Sequence, residues 1–254
     1  MKISIIIPAH NEENIIEKTI KKTYDVLNKI YYNYEIIVID DNSDDKTGEI
    51  SDRLSRKYKT IKTFHKKGKK KGPTDLGSAI KFGLKRYSGD IVIPFMGDLS
   101  DDPKDIIKLI KKVMEGYDVV CGSRFIKGSK IIGYPKTKML CNRFYNRLFA
   151  LLFSLNVKDI SNAFKAYRRE IFKNIKPESN GFEVTSEIVL KAHINRYRIA
   201  EVPVSWHDRN NRGESKFGSF ISPKFLFFKL PKIGYHYGSM SLKIWFKFIL
   251  SRFD

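Results

Sequence analysis

Three carboxylates and a hydroxyl crowd the stretch Pro94-Phe95-Met96-Gly97-Asp98-Leu99-Ser100-Asp101-Asp102-Pro103. Carboxylate and hydroxyl oxygens are hard ligands, the kind that hold Mg²⁺ or Mn²⁺ against a phosphate. The same residues also suit an N-capping turn, since Asp before a helix accepts backbone N–H groups and favours the helix dipole. On these residues alone both readings stand. A second acidic cluster, Asp40-Asp41-Asn42-Ser43-Asp44-Asp45, closes the apolar run Glu35-Ile36-Ile37-Val38-Ile39.

The elements that must position these groups are legible from periodicity. Ile3 to Ile7 and Glu35 to Ile39 are continuous β-branched runs, as expected of parallel strands buried on both faces. Ile61 to Phe64, Asp90 to Phe95 and Tyr117 to Cys121 complete a set of strands. Helical periods separate them: Ile15, Ile16, Ile20, Tyr24 and Leu27, then Ile50, Leu54 and Tyr58, then Leu76, Ile80 and Leu84 capped by Thr74. A further helix, starting at Pro103, carries Ile106, Ile107, Ile110 and Met114. Such alternation implies parallel βαβ units with helices on both faces. Both acidic clusters then fall at strand carboxyl ends, where open α/β sheets bind ligands. Neither GxGxxG after the first strand nor a Walker A pattern is present, which argues against a dinucleotide-binding dehydrogenase and a P-loop protein.

Beyond Gly122-Ser123-Arg124 the character changes. A basic, aromatic helix is expected over 136–153, polar irregular chain over 159–169, a helix over 182–197 and an edge strand over 198–206 holding Pro203. The 254 residues suffice for one α/β domain with an extension. With Lys+Arg 48 against Asp+Glu 28 the net charge is +20, which favours phosphate-rich partners. Cys121 and Cys141 show no metal-ligand spacing, consistent with a reducing compartment. No signal-peptide pattern opens the chain, and the longest uncharged apolar run, 148–157, is half what a spanning helix needs. The last segment gathers Leu242, Trp245, Phe246, Ile249 and Leu250 into one helical sector beside Lys243 and Lys247. It reads either as an amphipathic helix lying in an anionic membrane interface or as a helix packed on the protein's own core.

Five motifs in order then carry a family resemblance: Ile7-Pro8-Ala9-His10-Asn11-Glu12, Asp40-Asp41-Asn42-Ser43, Asp98-Leu99-Ser100, Gly122-Ser123-Arg124 and Gly213-Glu214-Ser215-Lys216. Over about residues 1–218 the chain resembles family 2 glycosyltransferases, dolichyl-phosphate mannose synthases and related polyprenyl-phosphate sugar transferases in particular. The resemblance implies a GT-A (Rossmann-like) α/β domain over 1–218, a mostly parallel central sheet with helices on both faces; the composition of 219–254 adds the expectation of a basic, aromatic amphipathic membrane-interface tail. It implies an inverting transfer of a hexose, mannose or glucose, from a nucleotide-diphosphate sugar to dolichyl or polyprenyl phosphate. This would take place peripherally on the cytoplasmic face of the membrane, with no nucleic-acid partner.

The resemblance also assigns residues. Pro8, His10, Glu12, Ile39, Asp41, Met96, Gly97 and Asp98 would line the nucleotide-sugar site, closed by Arg209, Arg212 and Lys216. Arg124, Lys138 and Asn142 would seat the acceptor phosphate, and Asp98, Arg124 and Lys138 would carry catalysis. Asp98 and Ser100 would bind Mg²⁺ or Mn²⁺. Met96 stands where the family's Asp-x-Asp motif has its first acid, which puts the metal requirement in question, although one branch of the family reads Met-Ala-Asp-x-Ser-Asp-Asp-Pro here. Glu187 occupies a family-like position and could equally partner a buried Arg. A phosphate acceptor needs no strong general base, because its second pKa of ~6 leaves it ionised at neutral pH. A soluble glycan acceptor would need one, and only Asp98, Asp101 and Asp102 offer themselves. A non-catalytic sensor of nucleotide sugars or lipid is the remaining alternative.

Overall fold

The structure, a computed structural model, describes residues 1–68, 75–208 and 230–250. Seven strands form the central sheet: β1 (Lys2–Ala9), β2 (Asn33–Asp40), β3 (Ile61–His65), β4 (Ile91–Pro94), β5 (Val119–Ser123), β7 (Lys165–Arg168) and β8 (Ile199–Pro203). Their order is β3-β2-β1-β4-β7-β5-β8. The pairs β1–β2, β1–β4, β2–β3 and β5–β8 are parallel, and β7 runs antiparallel to both β4 and β5. A two-stranded parallel sheet, β6 (Lys130–Ile132) with β9 (Ser205–His207), stands apart.

Isoleucine-rich strands bury both faces, and successive side chains feed opposite layers. Ile3, Ile5, Ile7, Ile36 and Val38 join a core with α1 (Ile16–Leu27), α2 (Thr47–Lys57) and α4 (Ile106–Met114). Ile6, Ile37 and Ile39 face the other way, toward α3 (Leu76–Leu84), α5 (Lys136–Leu152), α7 (Val184–Ile194) and α8 (Leu230–Leu250). A short helix, α6 (Ile171–Asn174), closes the run after β7.

Three expectations are revised. The 159–169 segment is not irregular throughout: it supplies β7, whose Lys165 is wholly buried with its ammonium bonded to the carbonyls of Ile160 and Asn162. The chain over 198–206 makes two strands in two sheets. Pro103 opens a 3₁₀ turn, Pro103–Asp105, before α4, with Asp102 as its cap accepting from Lys104 N at 3.0 Å. The capping reading thus holds for Asp102. One face of α8 packs on the protein itself, as the second of the two readings of the last segment has it: Met240, Ile244 and Phe248 are buried, with Trp245 and Ile249 against the same core. Leu242 and Phe246 remain exposed. The expected cap Thr74 and the 218/219 boundary lie outside the described residues.

Glu35 ties the start of β2 to its neighbours and makes a pH-sensitive brace. Its buried carboxylate accepts from Ser4 Oγ (2.7 Å) and Ser88 N (2.7 Å), and pairs with Lys2 and Lys62 at 3.1 Å each. Burial alone would raise its pKa, but these hydrogen bonds lower it to about 2. A depressed acid stabilises the fold above its unfolded pKa and loses that stabilisation as pH falls toward the folded value. Both lysine partners are well exposed, so solvent screens the pair and about 1–2 kcal/mol is expected. Acid titration of unfolding checks this: Glu35→Gln should start weaker than wild type at neutral pH, and the gap between the two should close between pH 4.5 and 2.

Candidate active site

The strand order reverses between β1 and β4, with β2 and β3 on one side and β7, β5 and β8 on the other. A crevice therefore opens beyond the carboxyl ends of these two strands. There Gly97 N donates to Pro8 O (3.2 Å) and Thr19 Oγ1 donates to Gly97 O (2.8 Å). A Cβ on Gly97 would sit 3.0 Å from both Ala9 Cβ and Pro8 O, so the loops after β1 and β4 touch only because this position lacks a side chain. Each of three loops at this edge turns through a left-handed residue: Asn11 (φ 54°), Asn42 (φ 60°) and Leu99 (φ 54°). Asn tolerates that conformation, whereas Leu does so only under surrounding constraint.

Constraint on Leu99 comes from both sides. Asp98 Oδ1 accepts Ser100 N at 3.0 Å, and His207 N donates to Ser100 O at 2.8 Å. Asp102 N donates to Ser205 O (3.2 Å), Ser205 N donates to Asp105 Oδ2 (2.6 Å), and Asp101 bridges Trp206. The acidic loop is thereby laced to β9. In the β2 loop, His10 Nδ1–H donates to Asp41 O (2.9 Å), and Asp41 N donates to Ala9 O (2.8 Å). Lys66 lies 3.6 Å from Asp41 Oδ1, and His65 holds Asp40 Oδ2 at 2.8 Å. Glu12 is buried, with its N–H donating to Thr47 Oγ1 (2.7 Å).

Asp101 is 3 % exposed, and its Oδ1 has no hydrogen-bond partner among the described residues. Burial and then the charge of Asp98 raise its pKa to about 7, against the pull of Arg124. The charges of Asp98 and Arg124 thus both act on the Asp101 carboxyl. A buried oxygen without a partner, a neighbouring carboxylate and the Ser100 hydroxyl fit a divalent cation whose other ligands are phosphate oxygens and water. Among the described residues no three His, Cys, Asp or Glu side chains converge into a complete metal cage.

The basic half of the crevice centres on Arg124. Its Nε donates to Asp159 Oδ2 (2.8 Å), Nη2 to Asp159 Oδ1 and Ser161 Oγ (3.0 Å each), and Nη1 to Tyr134 Oη (3.3 Å). Burial opposes the charge, but Asp159 more than offsets it and holds the guanidinium above its ordinary pKa. The bidentate fork expected to grip a phosphate grips Asp159 instead, because a buried guanidinium needs a buried counter-charge. One Nη1–H remains beyond these bonds among the described residues. Asn142 Nδ2 donates to the Tyr134 hydroxyl, Tyr134 stands edge-on to Trp206 at 4.6 Å, and Lys138 Nζ lies 5.3 Å and 5.9 Å from those two rings. Acidic loop, β9 and basic cluster are thus one packed unit.

Not every expected residue reaches this crevice with its side chain. Ile39 is wholly buried against the α3 face of the core, so its side chain does not reach the sheet edge. Met96 packs on the same core, its thioether in place of a carboxylate. Glu187 is buried, accepts Glu178 N and Ser179 N at 2.8 Å and pairs with Lys191 at 2.6 Å, so its partner is a lysine and two amides rather than an arginine. Arg209, Arg212 and Lys216 lie outside the described residues. Sequence reasoning missed Asp159, Ser161 and Asn146, whose side chain bonds Ser161 and the backbone of Ile160. Only the fold brings them to Arg124, so no spacing signalled them. A cavity of about 1170 Å³ beneath α8 is lined by Glu183, Glu187, Lys191, Tyr237 and Lys243, away from the acidic loop and Arg124.

Comparison with known proteins places this architecture. Glucosyl-3-phosphoglycerate synthase from Mycobacterium tuberculosis, solved with Mn²⁺, uridine diphosphate and phosphoglyceric acid, superposes with a TM-score of 0.67 over 96% of this chain and 78% of that one. At 19% identity this shows the fold, a GT-A fold as expected. A dolichol-phosphate mannosyltransferase of Pyrococcus furiosus is 35% identical over 221 residues, covering 85% of this chain and 59% of that protein. Glycosyltransferase AglD of Haloferax volcanii is 29% identical over 216 residues, 83% of this chain and 34% of that protein. The chain thus spans less than two thirds of either relative. The family model for glycosyl transferase family 2 matches residues 4–176, a span that takes in both the acidic loop and the Arg124–Asp159 pair. The chain belongs to glycosyl transferase family 2.

Proposed function

We propose that this protein transfers a hexose from a nucleotide-diphosphate sugar to a dolichyl or polyprenyl phosphate at a membrane surface, with inversion at the sugar carbon. The observation that carries the reading is the pairing of an acidic loop with a basic cluster across one switch-point crevice. The relatedness to a dolichol-phosphate mannosyltransferase over most of the chain supports the acceptor class. Pro8, His10, Glu12, the Ile39 backbone, Asp41 and Gly97 would receive the nucleotide. Asp98, Ser100 and Asp101 would hold a divalent cation, Mg²⁺ or Mn²⁺, which supplies positive charge for the departing diphosphate. Lys138 and Asn142, with Arg124 behind them, would orient the acceptor phosphate. That acceptor arrives already ionised, so the crevice has to position it and screen its charge rather than remove a proton.

The decisive experiment is transfer of labelled sugar from GDP- and UDP-sugars into organic-extractable polyprenyl phosphate, with Mg²⁺, Mn²⁺ and EDTA arms. Label in the lipid phase with one donor is the expected result. Label only in a water-soluble acceptor would move the acceptor assignment to a soluble saccharide. Donor binding without any product would make the protein a sensor.

A further inference from the structure

His65 ends β3 and stands in parallel register with Asp40, the last residue of β2. Its Nδ1 lies 2.8 Å from Asp40 Oδ2, and its Nε2 lies 3.1 Å from both carboxylate oxygens of Asp52 on α2. Ionised carboxylates only accept, so a ring that bonds one of them through each nitrogen donates from both. A neutral imidazole has a single N–H, whereas the imidazolium has two. His65 therefore stands as a cation between β2 and α2. Gly48, one turn before Asp52, makes room for the pair: a Cβ there would sit 2.7 Å from Asp40 Oδ2 and 3.1 Å from His65 Cε1.

What this cation secures is the loop after β2. The other Asp40 oxygen, Oδ1, accepts Ser43 N at 3.2 Å, so one carboxylate ties the loop both to itself and to His65. The chain beyond His65 adds two bonds, from Lys66 N to Asp40 O (2.8 Å) and from Gly68 N to Asn42 Oδ1 (3.2 Å). The β2 loop in turn grips the loop after β1. Asn11 N donates to Ser43 Oγ (3.1 Å), Asp44 N donates to Asn11 Oδ1 (2.9 Å), and Asp41 O accepts from His10 Nδ1. His10 and Asp41 are two of the residues proposed to receive the nucleotide. Their placement thus passes through a carboxylate whose partner is the side chain that titrates nearest neutral pH.

We infer that His65 is a positioning residue for the nucleotide loop: as an imidazolium it clamps Asp40 to Asp52, and its deprotonation loosens His10 and Asp41, so nucleotide affinity falls as pH rises. The charges that face the ring are Asp40 from β2 and Asp52 from α2, while Lys66, next in the chain, reaches Asp41 at 3.6 Å. The hydrogen bond to Asp40 raises the His65 pKa above the ordinary 6.5; burial opposes the rise and Asp52 adds to it. A base with a raised pKa contributes fully below its unfolded value and stops contributing as pH climbs through the folded one. The consequence for binding rests on the nucleotide reading of this loop, whereas the clamp stands on its own geometry.

Calorimetric titration of UDP and of GDP, each with Mn²⁺, into the full chain tests it, with wild type and His65→Gln compared across pH. Asp101 and the nucleotide phosphates titrate in both proteins, so the ratio of the two dissociation constants isolates His65. At about pH 6 His65→Gln should bind about 10-fold more weakly, the worth of one charge-assisted hydrogen bond, and at about pH 9 the two should agree. His65→Arg, whose guanidinium donates to both carboxylates without titrating, should keep the tighter binding at both ends. The imidazole NMR signal that His65→Gln removes should titrate above 6.5. A ratio that stays constant with pH would make His65 a structural residue only and overturn the inference, as would an imidazole titrating at or below 6.5. Wild type that binds neither nucleotide at any pH would sink the donor reading and the positioning role with it, leaving only the clamp.

Discussion

Asp159→Asn is expected to unfold in urea with about 3–5 kcal/mol less stability than wild type, the loss typical when one member of a buried ion pair is removed and the other stays charged. Asp159 is wholly buried and Arg124 is 8 % exposed. Asp159 accepts the Arg124 guanidinium along two edges, the Arg124 backbone N–H (3.0 Å), the Ser161 hydroxyl (2.9 Å) and Asn162 N (3.2 Å). An amide keeps one acceptor oxygen and turns an NH₂ toward a guanidinium that has no other ion-pair partner among the described residues. Adding Arg124→Met should recover much of the loss, since the stranded charge goes with it, and the double-mutant cycle reads the coupling directly. Burial favours the protonated acid, but Arg124 overrides it and keeps the pKa of Asp159 below the ordinary value. The sign follows: a depressed acid stabilises above its unfolded pKa of ~3.9 and stops doing so in acid. The gap between wild type and Asp159→Asn should therefore be constant from neutral pH down to about 5 and close below it. A deficit under 1 kcal/mol would show that the pair is not the keystone of the basic cluster.

Asp98→Asn is expected to lower kcat/KM for sugar transfer by about 10²–10³, or about 2.7–4 kcal/mol of transition-state stabilisation. The fold should be untouched, because the turn at Leu99 needs one acceptor oxygen for Ser100 N and asparagine supplies it. What disappears is the negative charge beside Asp101 at the switch point, and Met96 leaves no first acid to compensate. Nucleotide binding in the presence of Mn²⁺ should weaken in parallel, measured by calorimetry independently of turnover. Full activity in Asp98→Asn would remove the acidic loop from the reaction. Loss of activity with intact Mn²⁺ and nucleotide binding would give Asp98 a positioning role toward the sugar.

Much of the architecture was local and therefore legible. Runs such as Ile3 to Ile7 and Ile36 to Ile39 can be satisfied only where both faces of a strand are covered, so they determine parallel strands between helix layers. The placement of Asp40-Asp41 and Asp98 at one sheet edge follows from that alternation, since parallel strands all end on the same side. Helix faces were less secure: Met114 fits the period of α4 yet is 49 % exposed, while Leu109 and Val113 fill the core.

What tertiary structure decided shares a physical cause, which is that the deciding partner is distant in the chain. β7 is four residues with a lysine at its head, unpersuasive as a strand until the slot between β4 and β5 pairs it on both edges and two carbonyls receive the ammonium. The resemblance gave Arg124 to the acceptor phosphate, whereas Asp159, thirty-five residues on, accepts its guanidinium along two edges. Amphipathic periodicity reports that a helix has an apolar side but not what covers it. In α8 the side holding Met240, Ile244 and Phe248 meets α7 and Phe153, whereas in α5 Leu140, Phe144, Leu148 and Leu151 stay exposed among the described residues. Composition and period establish which residues must leave water; only the packed chain determines which of them find the protein and which are left for something else.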